Sequence, residues 1–426
     1  MSVDDRLARL ALSRPDILLP RQDTVDLRRW AVIACDQHTS NRRYWEEVAK
    51  EVANSPSTLK LVFPEVYLED KPVREEAERI GERARSYLRD DILEEHPRTP
   101  MLVLRRNEAG ELRPGLVFAL DLEEYEYTPG SRSLIRASEL TIEARLPPRV
   151  LIRELSPLEL PHILILIDDE ESRIIEPTAE ELPKSSSPLY ETELMAGGGS
   201  VAGYRLNEEI LEDRVIPGLE SLAKKRDSFL FAAGDGNHSL ASAKEVWRRR
   251  KAAGAPMDHP SRWALVEIVN LYTPGLRFEP IHRLLLRPDL QELTRSLDEA
   301  AIETEKIATG EEALRRYQAK RSSREVYLLR TSGSRRFLLP EADTLPVATV
   351  DDTLATVGEE GVDYVHGAGE AWRLAEESEG AAILLPPIDR SLLFATVEQR
   401  GVLPRKAFSL GESEEKRYYM EARRIE

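Results

Sequence analysis

The stretch Ser228 to Lys244, SFLFAAGDGNHSLASAK, changes its periodicity at two glycines. Ser228 to Ala233 is a continuous apolar run of strand length, and Leu240, Ala243, Val246 and Trp247 then recur on one helical face. A strand that feeds a helix through Gly234-Asp235-Gly236-Asn237 puts a helix N-terminus, with its unpaired N–H groups and partial positive charge, directly behind the turn. Gly234 and Gly236 let the backbone come close to a ligand or take positive φ. Together these make an anion site, expected here to hold the phosphates of a nucleotide or of a phosphorylated small molecule. His238 would add a donor or an imidazolium, Asn237 and Ser239 neutral hydrogen bonds, and Asp235 a ligand for Mg²⁺ or an acceptor for a hydroxyl proton. The other reading is a tight turn in which Asp235 or Ser239 caps the helix.

Outward from this unit, strand and helix patterns alternate along the chain, which predicts an α/β fold of mixed α+β character. WAVIAC (Trp30 to Cys35) reads as a buried strand and Asn41 to Val52 as a helix capped by Ser40 or Asn41. Lys71 to Asp90 reads as an amphipathic helix. Met101 to Arg105 and Leu116 to Leu120 read as a hairpin, and Pro161 to Ile167 and Trp263 to Tyr272 as strands. Pro288 to Lys320 has helical composition. Val326 to Arg330 and Arg336 to Leu339 flank TSGS as a second hairpin, followed by a strand at Ala381 to Leu385 and a helix at Ser391 to Arg400. The change near Arg287-Pro288 from strand-rich to charged helical sequence predicts two domains, 1–287 and 288–426, the second an α/β extension contributing basic residues to the site.

The 426 residues carry 60 Lys and Arg against 77 Asp and Glu, a formal net charge of −17. So acidic a surface argues against nucleic-acid binding, which needs a basic footprint. The single cysteine, Cys35, cannot form an internal disulfide, excludes a cysteine-based zinc site and fits a reducing cytoplasm. No apolar stretch approaches the roughly 18 residues of a membrane span, and the N-terminus lacks the pattern of a signal peptide. A small-molecule partner and a cytoplasmic location are therefore expected.

Other clusters could carry chemistry. SRSLIRASELT (Ser131 to Thr141) holds Arg136 and Glu139, either a general base with a phosphate clamp or a surface ion pair or helix cap. In FEPIHR, Pro280 would fix a turn and leave His282 and Arg283 to face a phosphate or to serve structure. The run Leu403 to Arg423 interleaves Arg405, Lys406, Lys416 and Arg417 with Phe408, Tyr418 and Tyr419, either an anion patch or a solvated tail. Asp36 and His38 follow a strand end, where α/β proteins often place ligands. Gly197 to Ser200, GGGS, has no lysine and reads as a flexible loop rather than a P-loop. The chain contains no HExxH, no GxSxG, and no GxGxxG after a strand, so a zincin, an esterase-type serine and a nicotinamide dehydrogenase are not indicated.

WAVIACDQHTSNRRYWEEV, LVFPEVYLED, GSRSLIRASELT, LELPHILILIDD, GDGNHSLASAK, ALVEIVNLY, FEPIHR, YVHG and LPRKAFSLGESEEKRYYMEAR together resemble the domain of unknown function numbered 1015, from about Trp30 to the C-terminus. Asp235 to Ser239 also resembles the DGHHR loop of ParB-like nucleotide-using proteins, among them the archaeal free serine kinase, which moves phosphate from a nucleotide to serine. That resemblance implies a ParB/serine-kinase-like core and a phosphotransferase using ATP or ADP, with Mg²⁺, on serine or phosphoserine. It implies Glu139 as general base and Asp235, Asn237 and His238 around the phosphates. A ParB-like regulatory protein without small-molecule catalysis, or a phosphoserine phosphatase, are the alternatives. Asn237 stands where the loop's first histidine would be and Ser239 where its arginine would be, which removes a bidentate phosphate contact. Arg136, Arg283, Arg405 and Lys406 are the candidate replacements.

Overall fold

Alternating side chains in Met101–Arg106 (β1) and Leu112–Asp121 (β2) close an antiparallel hairpin in which Met101 faces Val117 and Leu102 faces Leu116. Its two faces go to two cores. Leu102, Leu116, Phe118 and Leu120 enter one, and Met101, Val103 and Val117 the other, as the period of two requires. This computed structural model describes residues 1–39, 41–225, 229–286, 290–319, 322–343, 345–357, 361–404, 406–411 and 413–426. The chain divides into two units, Met1–Leu276 with Glu412–Glu426, and Arg277–Gly411.

The first unit is built on a ten-stranded sheet that adds Ile135–Ala137 (β3), Leu164–Ile167 (β4), Tyr190–Leu194 (β5), Gly199–Arg205 (β6), Phe231–Asp235 (β7) and Trp263–Asn270 (β8) to the hairpin. Its order is β5-β6-β1-β2-β8-β4-β7-β3, continued by Tyr125–Glu126, with Leu12-Ser13 on β2. β7 runs parallel to β3 and antiparallel to β4, and β8 runs parallel to β4. Helices include Arg42–Val52 (α1), whose first turn Asn41 caps by accepting from Tyr44 N–H, Val73–Arg89 (α2), Leu146–Leu155 (α3) and Asn237–Ala252 (α4). α3 packs against both α2 and α4.

The second unit is a seven-stranded antiparallel sheet. Phe278–Leu285 (β9), Glu303–Ile307 (β10), Glu325–Leu329 (β11), Ser334–Leu338 (β12), Val362–His366 (β13) and Ala381–Leu384 (β14) lie in the order β10-β12-β11-β14-β9-β13. Phe408–Leu410 (β15) pairs with the start of β9. Gly310–Ala319 (α5) and Ala368–Glu377 (α6) bring Ala313, Tyr317, Ala371 and Trp372 onto one sheet face, against Leu284, Tyr327 and Leu384.

The mixed α/β class expected from the sequence is the class observed. Four local expectations change. Trp30 ends a helical turn, Leu27–Trp30, and Ile33 makes an isolated bridge to Tyr418 instead of lying in a full strand. Pro280 lies within β9, opposite Phe408, instead of turning the chain; next to the end of a strand the missing N–H is tolerated. The charged stretch after residue 288 contains a strand, β10, because ETEKI buries only Ile307 and its polar composition hides the alternation. The GGGS segment is the tight end of the β5–β6 hairpin, with Gly199 already in β6. The expected boundary at Arg287-Pro288 lies outside the described residues. The division found at Leu276 also returns the last fifteen residues to the first unit, where Tyr418, Tyr419, Met420 and Ala422 are buried in its core. Among the described residues no helix is long and apolar enough to cross a membrane.

Candidate functional site

β7 delivers Asp235 to a sharp turn. Gly236 sits at φ 74° and ψ 26°, in the left-handed region that favours glycine, and a Cβ there would come within 3.1 Å of the Ile163 backbone. α4 begins at the next residue, and no side chain caps it. Asp235 therefore does not act as the cap. Its Oδ1 accepts from Gly236 N–H at 3.0 Å and its Oδ2 from the Lys416 ammonium at 3.0 Å. Gly234 has a packing reason instead: a Cβ would meet the Leu166 side chain at 2.7 Å.

The parallel pairing of β3 with β7 sets Ala137 opposite Ala233. Ser138 and Glu139 thus leave the sheet at the same end as Asp235 and Gly236. The Ser138 hydroxyl donates to Ala233 O, and Ile142 N–H donates to His238 Nε2 at 3.2 Å. Two motifs about a hundred residues apart become one surface at the carboxyl ends of two adjacent strands, the place where open α/β sheets bind ligands.

Asn237 is buried. Its Nδ2 donates to Ala233 O at 3.4 Å, which sets the amide orientation and leaves Oδ1 buried with no partner among the described residues; Thr141 Oγ1 is in the same condition. A buried polar atom left unmet costs about 1–3 kcal/mol, so Asn237 Oδ1 calls for a donor, and the Thr141 hydroxyl for a donor or an acceptor, from a ligand or from water.

His238 is not an imidazolium. Burial first, then the nearby Arg149 and Arg145, push its pKa down to about 4 against the opposing pull of Asp36. The Ile142 N–H on Nε2 fits the same neutral ring, with the proton on Nδ1. A histidine whose folded pKa lies below its unfolded value of about 6.5 favours the folded state above that value. Its contribution declines as pH falls from there through about 4. NMR of the His238 ring should show it neutral down to about pH 4; a midpoint near 6.5 would contradict the buried geometry.

Behind the turn, Tyr419 Oη accepts from Cys35 N–H at 3.1 Å and lies 2.8 Å from His162 Nδ1, while His162 Nε2 is 3.7 Å from Asp36 Oδ2. Burial raises the Asp36 carboxyl, but His162, a hydrogen bond from Gln37, Lys416 and Arg149 together bring it below its ordinary value. Burial pushes the Cys35 thiol up to about 12, which leaves it unreactive at neutral pH. A cleft of about 120 Å³ opens here. Cys35, His162, Ser239 and Tyr419 line one part of it, the Glu65–Arg149 ion pair another, and Leu61, Phe63 and Ile152 the apolar remainder.

The other expected residues have partners of their own. Arg136 lays its guanidinium over Phe229, 4.3 Å from the ring centre, and donates from Nε to Ser133 O. Both partners precede their strands, so these contacts draw it away from the GDGN turn. His282 and Arg283 belong to β9 of the second unit. Leu385 N–H donates to His282 Nδ1, and Arg283 pairs with Asp351 through Nε at 3.0 Å and Nη2 at 2.9 Å. Lys406 accepts from Arg283 through its carbonyl, and its ammonium lies 5.3 Å from the Tyr364 ring centre. These contacts maintain the second unit. Arg405 lies outside the described residues. Lys416 and Tyr419 stood in the basic and aromatic C-terminal run, while nothing in the sequence marked His162 or Arg149.

A family model described as "Protein of unknown function (DUF1015)" matches residues 17–357. The chain belongs to the DUF1015 family. No curated protein matches this DUF1015 member in sequence. Among solved structures it is similar to a free serine kinase mutant in complex with AMP, at 10% identity and a TM-score of 0.36, over 74% of this chain and 93% of that one. The same kinase with ADP aligns at 10% identity and a TM-score of 0.35, over 74% and 94%. SbnI with a C-terminal truncation, from Staphylococcus aureus, aligns at 9% and 0.32, over 69% and 83%.

Proposed function

We propose that this protein is a phosphotransferase that moves a phosphoryl group between ATP or ADP and the hydroxyl of a small amino acid of the serine or phosphoserine type. The observation that carries this reading is the side-by-side placement of the RASELT and GDGNHS segments at the carboxyl ends of β3 and β7, tied by Ser138 to Ala233 and by Ile142 to His238. It unites a carboxylate, Glu139, with an uncapped helix N-terminus that would bind phosphate. In the kinase direction Glu139 accepts the hydroxyl proton as that oxygen bonds to the terminal phosphorus, and the bridging P–O bond breaks to release the shorter nucleotide. Phosphoryl transfer rests mainly on positioning and charge stabilisation, which a helix N-terminus and a nearby cation can supply. His238, held neutral, positions the β3–α3 loop through Ile142.

Mg²⁺ would accompany the nucleotide and neutralise phosphate charge. Among the described residues no cluster of three or more His, Cys, Asp or Glu forms. The donor set therefore fits an ion held by phosphate, water and one carboxylate, as nucleotide-bound Mg²⁺ commonly is. Asp36, with Gln37 on one oxygen and His162 3.7 Å from the other, is the candidate, since the Asp235 carboxylate is paired to the Lys416 ammonium.

A ³¹P NMR survey of the purified protein with ATP or ADP, Mg²⁺ and a panel of hydroxyl and phosphorylated amino acids tests the reading. Acceptor-dependent loss of one nucleotide phosphate with a matching phosphomonoester signal is expected. Free phosphate alone would indicate a phosphatase. Nucleotide binding with slow, acceptor-independent hydrolysis would indicate a ParB-like regulatory protein.

A further inference from the structure

We propose that Lys416, delivered by the C-terminal tail, is the phosphate-binding cation of this site, and that Asp235 is the positioning residue that holds it there. The ligand class is a nucleoside diphosphate or triphosphate, an assignment that rests on the phosphoryl-transfer reading; the binding of a diphosphate group does not.

The GDGNHS turn carries no cation of its own: Ser239 is neutral by type and His238 is neutral by burial. An uncapped helix end contributes only partial charge, and a polyphosphate brings several full ones. Lys416 answers this from the far end of the sequence. Its ammonium has three donors, and one is taken by Asp235 Oδ2 at 3.0 Å. The residue is 8% exposed, and the other two N–H groups have no hydrogen-bond partner among the described residues. A mostly buried lysine with donors to spare, held by the residue that leads into the helix N-terminus, together with the unmet Oδ1 of Asn237 in that helix's first turn, is the complement of a phosphate group with its neighbouring hydroxyls.

Flanking residues fix where this lysine stands. Glu415 O accepts from Arg113, and Arg417 O accepts from Ala34 N–H at 3.0 Å. The Arg417 guanidinium is buried between Glu267 and Glu421, and Tyr419 N–H donates to Val32 O at 2.9 Å. Lysine's long side chain is costly to order; here the backbone on both sides is already held. Asp235 completes the placement, since Oδ1 is locked by Gly236 N–H and only Oδ2 is left to receive the ammonium.

Calorimetric titration of the full-length protein with inorganic pyrophosphate and with ADP tests this in four forms: wild type, Lys416→Met, Lys416→Arg and the double variant Asp235→Asn/Lys416→Met. Thermal unfolding of each checks the fold. Lys416→Met should bind both probes about 10- to 100-fold more weakly, the loss of one charged hydrogen-bonding contact, while Lys416→Arg keeps most of the affinity. The double variant separates contact from mere neutralisation. If Lys416 touches phosphate, removing the Asp235 charge as well leaves binding weak. Wild-type affinity in Lys416→Met, or its recovery in the double variant, would overturn the proposal. Should Lys416→Met fail to fold, Lys416→Arg decides: tight binding of both probes supports the assignment, and binding of neither overturns it. Wild type that binds pyrophosphate through Lys416 but transfers nothing would sink the transfer reading and leave this one standing. Transfer that survives Lys416→Met at the wild-type rate would do the reverse.

Discussion

Glu139→Gln should lower phosphoryl transfer by about 10²- to 10⁴-fold, the usual contribution of a positioned general base, while nucleotide binding and thermal stability stay near those of the wild type. Glutamine keeps the size of the side chain and loses its negative charge and its ability to take a proton. Glu139 follows β3 and is half-buried, so the amide should not disturb the sheet. Phosphoryl transfer passes through a loose transition state with little bond formation to the incoming oxygen, and the acceptor proton leaves late. The lower half of that range is therefore the better expectation, and the loss should fall on kcat more than on the nucleotide KM. Single-turnover ³¹P measurement with saturating nucleotide reads it directly. Wild-type turnover in Glu139→Gln would remove the base from Glu139 and with it the principal reason for pairing RASELT with GDGNHS.

That pairing also marks how far the sequence could be read. GDGNHS announces itself because its physics is local: a strand period of two, a glycine that must take positive φ, then a helical period. The structure keeps each of these at Phe231–Asp235, Gly236 and Asn237–Ala252. The placement of Glu139 beside it depends on β3 lying parallel to β7, a contact across nearly a hundred residues that no local pattern encodes. The same limit explains the misread partners. His282 and Arg283 look like ligands as a polar pair after a strand, but β9 buries both, and Asp351 meets the arginine from about seventy residues away. Composition misleads most in the C-terminal tail. KRYYMEARR has the charge density of a solvated end, yet each basic residue from Lys416 to Arg423 has an acid elsewhere in the chain: Asp235 for Lys416, Glu267 for Arg417 and Glu159 for Arg423. A charge run and a buried ion network have the same composition; only the partners distinguish them.

Arg417→Met should therefore destabilise the first unit by about 3–5 kcal/mol, the cost of removing one partner from a buried ion pair and leaving its carboxylates uncompensated. Arg417 donates from Nε to Glu267 and from Nη2 to Glu421, both at 2.7 Å, and from Nη1 to Pro161 O, and all three charged side chains are almost fully buried. Glu421 also accepts from Tyr190, and Glu267 lies 3.6 Å from Arg113. Arg113 softens the loss at Glu267, whereas Glu421 is left with a neutral donor only. Four of the five tryptophans, Trp30, Trp45, Trp247 and Trp263, lie in the first unit, so fluorescence during urea unfolding reports mainly on it. A typical domain has only about 5–15 kcal/mol of stability in total, so the midpoint should move far. Replacing Arg417, Glu267 and Glu421 together by neutral residues should recover part of the loss, because the penalty lies in the orphaned charges and not in the missing attraction. The arginine also fixes the backbone next to Lys416, so Arg417→Met should weaken pyrophosphate binding even where the unit remains folded. A midpoint within about 1 kcal/mol of wild type, the range of an exposed pair, would mean that the tail lies on the surface, and Lys416 would then lose the rigid presentation on which its assignment depends.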